Sequence, residues 1–202
     1  MFISLQVFSI AGRMKRAERA LIIAGTGRNS GKSSLAELLI SRFADRGVTG
    51  VKITPHSHPE MSGLERLVEK NRFQIFEEKN RNSGKDSPRM LRAGAAKVFL
   101  VVSPEENLAE AFESLQSFIP PGSPVIYESP ALRRFVEPDL FVVMQNDSDF
   151  STDRKKIDDL LSVADIVLSL DEMKVFSYQY ISLSVSNNWK SDWPPNQNHI
   201  NQ

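Results

Sequence analysis

The sequence predicts an α/β fold of three layers, in which helices cover both faces of a mostly parallel central sheet. Two observations lead to this prediction. Short, continuously apolar runs of the kind found in fully buried strands recur along the chain, and segments with apolar residues at helical spacing separate them. Strands that alternate with amphipathic helices form right-handed crossovers, which place the strands side by side in parallel. Ligands of such sheets bind beyond the carboxyl ends of the strands.

Six buried strands are predicted, at residues 20–24, 48–54, 97–102, 125–127, 140–144 and 166–170. Helices are predicted at 33–47, 64–79, 104–119 and 155–163, and a short one follows Asp86 and Ser87, either of which suits the N-cap position. Gly47 is expected to end the first helix. The segment 64–79 is highly charged, so its helix is expected on the surface.

The chain is expected to contain one domain with an extension at each end. Its 202 residues are enough for one large α/β unit that buries a substantial core without cross-links. Residues 20–183 are predicted to form this domain, and residues 1–19 an N-terminal extension. Residues 184–202 are rich in Asn, Ser and Pro, which is typical of a loose polar tail, although Trp189 and Trp193 offer it a means of docking.

The composition excludes several classes of site. The chain has no cysteine, so disulfides, thiolate zinc sites, iron–sulfur clusters and cysteine nucleophiles are excluded. Lys plus Arg number 25 and Asp plus Glu also number 25, and a net charge of zero is unlike that of a general nucleic-acid binder. No apolar run approaches the ~20 residues that a membrane-spanning helix needs. We therefore expect neither nucleic acid nor a membrane as a partner.

A glycine-rich loop follows the first predicted strand and opens the first helix. From Gly25 to Ser33 it reads G-T-G-R-N-S-G-K-S, which ends like the phosphate-binding P-loop, G-x-x-x-x-G-K-[ST], but has one extra residue between the glycines. Glycines let successive N–H groups point inward at phosphate oxygens, and the helix N-terminus adds the positive end of its dipole. The loop predicts nucleotide binding in a P-loop NTPase-like fold, and the alternative is a plain strand–turn–helix connection.

Eight residues of this loop and helix start are predicted to contact the nucleotide: Gly27, Arg28, Asn29, Ser30, Gly31, Lys32, Ser33 and Ser34. Lys32 is a mobile cation that is expected to reach the β- and γ-phosphates. The Ser33 hydroxyl is expected to ligate Mg²⁺, and Ser34 to contact the α-phosphate.

Two acidic residues are candidate magnesium ligands. Glu128 ends the fourth predicted strand, where P-loop enzymes keep a carboxylate that holds Mg²⁺ or orients a water, and the alternative is a surface glutamate. In the turn G-K-D-S, Lys85 and Asp86 are expected to approach the nucleotide, with Asp86 near the metal. The predicted catalytic residues are therefore Lys32, Asp86 and Glu128, and the predicted metal ligands are Ser33, Asp86 and Glu128.

Two histidines follow the second predicted strand. His56 and His58 lie in a proline-rich segment with Glu60 close behind. Histidines two residues apart can bind a metal or a substrate anion, but solvated side chains are the default interpretation of such a loop. Both interpretations stay open for this pair.

Three blocks of the sequence resemble the family of P-loop GTP-binding adapters of molybdopterin-guanine dinucleotide biosynthesis. They are S-G-K-S-S-L at 30–35, the Lys- and His-containing V-K-I-T-P-H-S-H at 51–58, and G-K-D-S at 84–87 with A-G-A at 93–95. The last of these is the most specific, since a generic P-loop protein has no reason to carry it. The segments P-V-I-Y-E at 124–128 and A-D-I-V-L-S-L at 164–170 are similar to later strands of the family, so the resemblance extends over residues 20–170.

The resemblance implies a cytoplasmic homodimer that binds GTP with Mg²⁺, hydrolyses it slowly, and assists the molybdopterin guanylyltransferase that joins GMP to molybdopterin. Three features depart from that family. The longer loop is similar to that of dethiobiotin synthetase, Ser129 stands where the adapters usually have glycine, and the chain has no N-K-x-D element to read guanine. An ATP-dependent small-molecule kinase or ligase and a non-catalytic P-loop interaction protein are therefore alternatives, and ATP remains an alternative to GTP.

Overall fold

The first apolar run of the sequence forms a central strand of the sheet. In the computed structural model, Ala20–Gly25 pairs in parallel with Val125–Glu128 on one side and with Leu140–Met144 on the other. Its five residues before the glycine are buried and alternate between the two faces of the sheet. This burial on both faces explains why the run has no polar alternation.

The structure describes residues 14–27, 29–55, 63–70, 72–82, 86–146, 154–176 and 180–193, with the side chains at 86, 154–157 and 174–176 outside that description. The strands in these ranges are β1 Lys15–Arg16, β2 Ala20–Gly25, β3 Thr49–Thr54, β4 Leu64–Lys70, β5 Phe73–Glu78, β6 Lys97–Val102, β7 Val125–Glu128, β8 Val136–Glu137, β9 Leu140–Met144, β10 Ile166–Leu168, β11 Ile181–Leu183 and β12 Trp189–Ser191. The α-helices are α1 Lys32–Arg42, α2 Asp86–Arg92, α3 Leu108–Gln116, α4 Arg154–Ser162 and α5 Leu170–Phe176.

Eight strands form the main sheet in the order β10-β9-β2-β7-β3-β6-β5-β4. The six from β10 to β6 run parallel, and they are the six strands that the sequence predicts. Strands β5 and β4 extend the sheet in antiparallel fashion. The prediction of an α/β fold with a mostly parallel central sheet is thus confirmed.

Helices cover both faces of this sheet, in keeping with a three-layer arrangement. Leu35, Leu39 and Met90 of α1 and α2 belong to the core on one face, and Phe112 of α3 and Leu160 of α4 to the core on the other. Helix α1 ends at Arg42, and the chain then makes a short 3-10 turn before it reaches the next strand. None of the helices in the described ranges is both long and apolar enough to cross a bilayer.

The prediction of a helix over residues 64–79 is wrong, because this segment forms the antiparallel strands β4 and β5. Strand β4 is the exposed edge of the sheet, where charged side chains are favoured since they discourage further pairing. Lys79 pairs with Glu65 at 3.4 Å and with Glu77 at 2.7 Å, so charges that looked like a solvated helix face bridge the two strands. In the structure Lys70 pairs directly with Phe73, so only two residues connect the two strands.

Segments beyond both predicted domain boundaries contribute ordered structure. Strand β1 pairs in parallel with β8, and the hairpin β11–β12 extends past residue 183. Trp189 of β12 is only 2% exposed, and its indole Nε1 donates to the Arg19 carbonyl at 3.0 Å. Its ring meets that of Phe43 edge-on, with 5.5 Å between the centroids. The hairpin therefore packs against one side of the core, whereas the sequence predicts a loose tail from residue 184 onward.

Candidate functional site

Three neighbouring strands deliver polar groups to one edge of the sheet. Strand β2 continues into the loop 25–33, β7 ends in Glu128, and β3 carries Lys52 opposite Glu128 in the register. Because β2, β7 and β3 are adjacent and parallel, their carboxyl ends meet at the same edge. This is the edge where ligands of such sheets bind.

Glu128 is the centre of a hydrogen-bonded group at this edge. The Ser33 hydroxyl lies 3.1 Å from each of its carboxylate oxygens, and the Lys52 ammonium lies 2.9 Å from Oε1. Glu128 is only 4% exposed, and a buried charge of this kind is stable only where it is paired and hydrogen-bonded. The group therefore joins α1, β7 and β3 at one side chain.

The loop that precedes α1 has a backbone suited to an anion. Asn29 and Gly31 have φ angles of 57° and 95°, in the left-handed region. Left-handed residues that alternate with others in a turn direct successive N–H groups toward one point, which creates a concavity for anions. The Lys32 ammonium lies across the loop and donates to the Gly27 carbonyl at 2.7 Å and to Ser30 Oγ at 3.2 Å.

Two glycines of this loop leave space that neighbouring side chains occupy. A Cβ added at Gly25 would collide with Ser30 Oγ and would lie 2.8 Å from Lys32 Cδ. A Cβ added at Gly31 would lie 2.6 Å from Leu170 Cδ2, besides the strain of a positive φ. The loop is thus packed against its own side chains and against the start of α5.

Helix α1 points its N-terminus into this loop. Its first backbone bond runs from Leu35 N to Gly31 O at 2.9 Å, and the helix is 11 residues long. The first N–H groups of a helix have no intrahelical acceptor, and they carry the positive end of the helix dipole. Because the buried face of α1 anchors the helix to the sheet, this end is held firmly in front of β2.

A cavity of about 460 Å³ lies in front of the loop, within the usual size range of small-molecule sites. The residues that line it are Asn29, Ser30, Gly31, Lys32, Ser33, Ser34, Lys52, Arg89, Glu128 and Leu170. Three of these side chains are cationic and one is a carboxylate, so the cavity is suited to an anion. Cations converging with helix N–H groups are the elements of a phosphate site.

Seven of the residues predicted from the sequence line this cavity together: Asn29, Ser30, Gly31, Lys32, Ser33, Ser34 and Glu128. Gly27 takes part through its carbonyl, which accepts from Lys32. Arg28, His56, His58, Glu60, Lys85 and the Asp86 side chain lie outside the described residues.

Three lining residues are not among the site residues predicted from the sequence. Lys52 is the one cation in an otherwise uncharged strand, and this interruption of the pattern two residues before the strand ends was a usable signal. Arg89 is carried by α2 and reaches the cavity through the tertiary fold, and no local pattern indicates this. The sequence predicts Leu170 in the last strand, whereas in the structure it begins α5 and packs beside Gly31.

The donor set at Ser33 and Glu128 suits Mg²⁺. This ion prefers oxygen ligands and usually binds proteins through one or two side chains, with phosphate oxygens and waters completing its shell. A hydroxyl and a carboxylate within 3.1 Å of each other supply such oxygens. Within the described ranges no cluster of three or more His, Asp or Glu forms a cage for a metal.

Comparison of the chain with protein family models, curated proteins and solved structures finds no match. Its function is therefore inferred from its own residues.

Proposed function

We propose that this protein binds a nucleoside triphosphate with Mg²⁺ in the cavity in front of the loop 25–33, and that it hydrolyses the triphosphate slowly at most. One observation carries the proposal. The Ser33 hydroxyl, at the N-terminus of α1, donates a hydrogen bond to the buried Glu128 carboxylate. Both residues line a cavity that Lys32, Lys52 and Arg89 also line. A hydroxyl, a carboxylate and several cations around helix N–H groups match the needs of a magnesium triphosphate.

In this proposal each side chain has a separate task. The Lys32 ammonium exchanges its loop acceptors for β- and γ-phosphate oxygens, because charge-assisted bonds to phosphate are stronger than those to a carbonyl. Ser33 and Glu128 hold Mg²⁺, which neutralises charge on the phosphate oxygens when it is bound. Lys52 holds the carboxylate in place from the neighbouring strand.

Slow turnover follows from the state of the carboxylate. In the proposed complex Glu128 would hold Mg²⁺ and pair with Lys52, so it is poorly placed to take a proton from an attacking water. Phosphoryl transfer would then rely on positioning and on charge stabilisation by the cations and N–H groups. We expect such a site to bind a triphosphate and to hydrolyse it slowly.

The resemblance to the adapters of molybdopterin-guanine dinucleotide biosynthesis supports GTP as the nucleotide. It further suggests a cytoplasmic homodimer that assists a molybdopterin guanylyltransferase. The G-K-D-S to A-G-A block supports this family most, and helix α2, which lies in the described part of this block, contacts α1 and carries Arg89 to the cavity. These assignments of base, partner, oligomer and compartment belong to the proposal.

An ATP-dependent kinase or ligase acting on a small molecule is the second candidate. The nine-residue loop between Gly25 and Ser33 favours it, because that length is similar to the loop of dethiobiotin synthetase. Formation of a phosphorylated or ligated product from ATP and an acid or amine would select this candidate over the adapter.

Isothermal titration with GTP and ATP, each with and without Mg²⁺, tests the proposal. We expect one triphosphate to bind with a strong dependence on Mg²⁺. Failure of both to bind at millimolar concentration would exclude the adapter and the kinase, and would leave a P-loop-like fold that acts by protein interaction alone.

A further inference from the structure

Arg89 adds a third cation to the cavity from outside the glycine-rich loop. It lies on α2, and its side chain lines the cavity together with Lys32 and Lys52. The guanidinium Nε lies 2.6 Å from Oε1 of Glu37 on α1. This ion pair links α2 to α1 across the cavity wall and fixes the direction from which the guanidinium approaches.

The position of Glu37 shows which end of the cavity Arg89 occupies. Glu37 follows Ser33 by four residues in α1, so the two side chains lie on one face of the helix, a turn apart. Ser33 in turn contacts Glu128. The Arg89–Glu37 pair therefore lies on the face of α1 that carries Ser33, whereas Leu170 packs beside Gly31 at the loop.

We propose that Arg89 contacts the terminal phosphate of the bound nucleotide and so makes the site prefer a triphosphate to a diphosphate, with Glu37 as the positioning residue. The inference rests on the proposed function. In the template for such loops, the lysine reaches the β- and γ-phosphates and the hydroxyl after it lies on Mg²⁺. The Arg89–Glu37 pair lies on the face of α1 that carries this hydroxyl. A guanidinium has five N–H donors, so the ion pair with Glu37 is compatible with a forked contact to phosphate oxygens.

The competing explanation is a purely structural ion pair between two helices. A structural pair would affect the stability of the protein, and it would affect triphosphate and diphosphate binding to the same extent. The ratio of the two dissociation constants therefore separates the explanations, because only a contact to the third phosphate changes it.

The test is calorimetric titration of the full chain with Mg²⁺ and either a nucleoside diphosphate or its non-hydrolysable β,γ-imido triphosphate, for the purine that the protein binds. For Arg89→Ala we expect triphosphate affinity to fall by roughly tenfold or more while diphosphate affinity is unchanged. Arg89→Lys keeps a point charge without the fork and should lose less. Glu37→Gln should reduce the same ratio by a smaller factor.

The matched control is Arg92→Ala. Arg92 lies one turn further along α2, is exposed, and donates to the Arg81 carbonyl at 2.7 Å instead of lining the cavity. It should leave the ratio unchanged. The inference is wrong, and the proposed function stands, if wild-type protein binds nucleotide but both Arg89 variants keep the wild-type ratio of the triphosphate and diphosphate dissociation constants. The same conclusion follows if Arg92→Ala changes this ratio as much as the Arg89 variants do. If wild-type protein binds neither nucleotide, the proposed function fails and the inference with it.

Discussion

The Ser33 hydroxyl donates to the Glu128 carboxylate with 3.1 Å to each oxygen, although 95 residues separate the two in sequence. Lys52 holds the same carboxylate at 2.9 Å from the adjacent strand. One buried side chain thus connects the first helix of the cavity with two strands of the sheet. Substitutions in this group should therefore affect both the stability of the fold and the binding of a ligand.

We expect Glu128→Gln to destabilise the protein by about 3 kcal/mol, because it removes the negatively charged partner of a largely buried ion pair. The free energy of unfolding from urea denaturation measures this. Any nucleotide affinity that remains should depend less on Mg²⁺ than in the wild type, since one of two proposed oxygen ligands is lost.

Glu110→Gln is the matched control for that substitution. Glu110 pairs with Lys70 at 2.8 Å, but both side chains are about half exposed. Exposed pairs contribute under about 1 kcal/mol, so this variant should be close to wild type. Equal effects of the two substitutions would contradict the role assigned to burial at Glu128.

Lys32→Ala should weaken triphosphate binding by roughly tenfold to a hundredfold, because bonds from an ammonium to phosphate are among the strong ones. The effect on the fold should be smaller, since the Lys32 ammonium donates to the Gly27 carbonyl and to Ser30 Oγ, both in its own loop. Calorimetric titration measures the affinity, and Lys190→Ala in the exposed face of β12 is the control. An unchanged affinity would remove the loop from the proposed site.

Gly31→Ala should destabilise the protein and abolish binding. Two costs add at this position: about 1–2 kcal/mol for a left-handed alanine, and the overlap of its Cβ with Leu170 Cδ2. Gly122→Ala separates them, because Gly122 also has a positive φ but its Cβ would meet no atom within 4 Å. The loss of stability in thermal unfolding should be larger at Gly31, and a second substitution, Leu170→Ala, should recover part of the difference.

The parts of this fold that the sequence predicts are those fixed by burial on both faces. The strands β2, β3, β6, β7, β9 and β10 are rich in apolar residues with few polar interruptions, as expected of strands that are buried on both faces of a sheet. The β4–β5 pair escaped prediction, because at a sheet edge one face is solvated and cross-strand ion pairs replace apolar alternation.

The site also contains residues that a local sequence pattern marks and residues that only tertiary packing brings to the cavity. Lys32, Ser33 and Glu128 could be predicted, because a local loop pattern and a strand end mark them. Arg89 could not, because its place at the cavity depends on how α2 packs against α1 and on the ion pair with Glu37. Tertiary packing of this kind leaves no periodic signal in either helix.

Tyr127 gives the protein a stability that depends on pH in the alkaline range. Burial raises the pKa of its phenol above the ordinary value of about 10, and the hydrogen bond from Gln116 offsets part of the rise. Below that value both folded and unfolded states hold the proton. Above it the unfolded state releases the proton first, so stability falls as pH rises from about 10 toward the higher pKa of the folded state.

The comparison with Tyr127→Phe isolates this effect, since the lysines that titrate in the same range are common to both proteins. Between pH 9 and pH 11 the wild type should lose about 1 kcal/mol more than the variant in the free energy of unfolding. Urea denaturation at both pH values measures the difference. Parallel losses in the two proteins would show that the phenol ionises as readily folded as unfolded.

The hairpin β11–β12 should stabilise the fold without taking part in the cavity. Trp189 is buried, donates to the Arg19 carbonyl and meets Phe43 edge-on, and Phe43 directly follows α1. Trp189→Ala should therefore cost about 3–5 kcal/mol of stability in urea denaturation, the usual loss for a buried aromatic side chain. Trp189→Phe keeps most of the apolar contact and should cost less. In whatever fraction of either variant is folded, nucleotide affinity should equal that of the wild type, because none of the cavity-lining residues belongs to the hairpin. A large loss of affinity in folded Trp189→Phe would instead mean that the hairpin sets the position of α1 at the cavity.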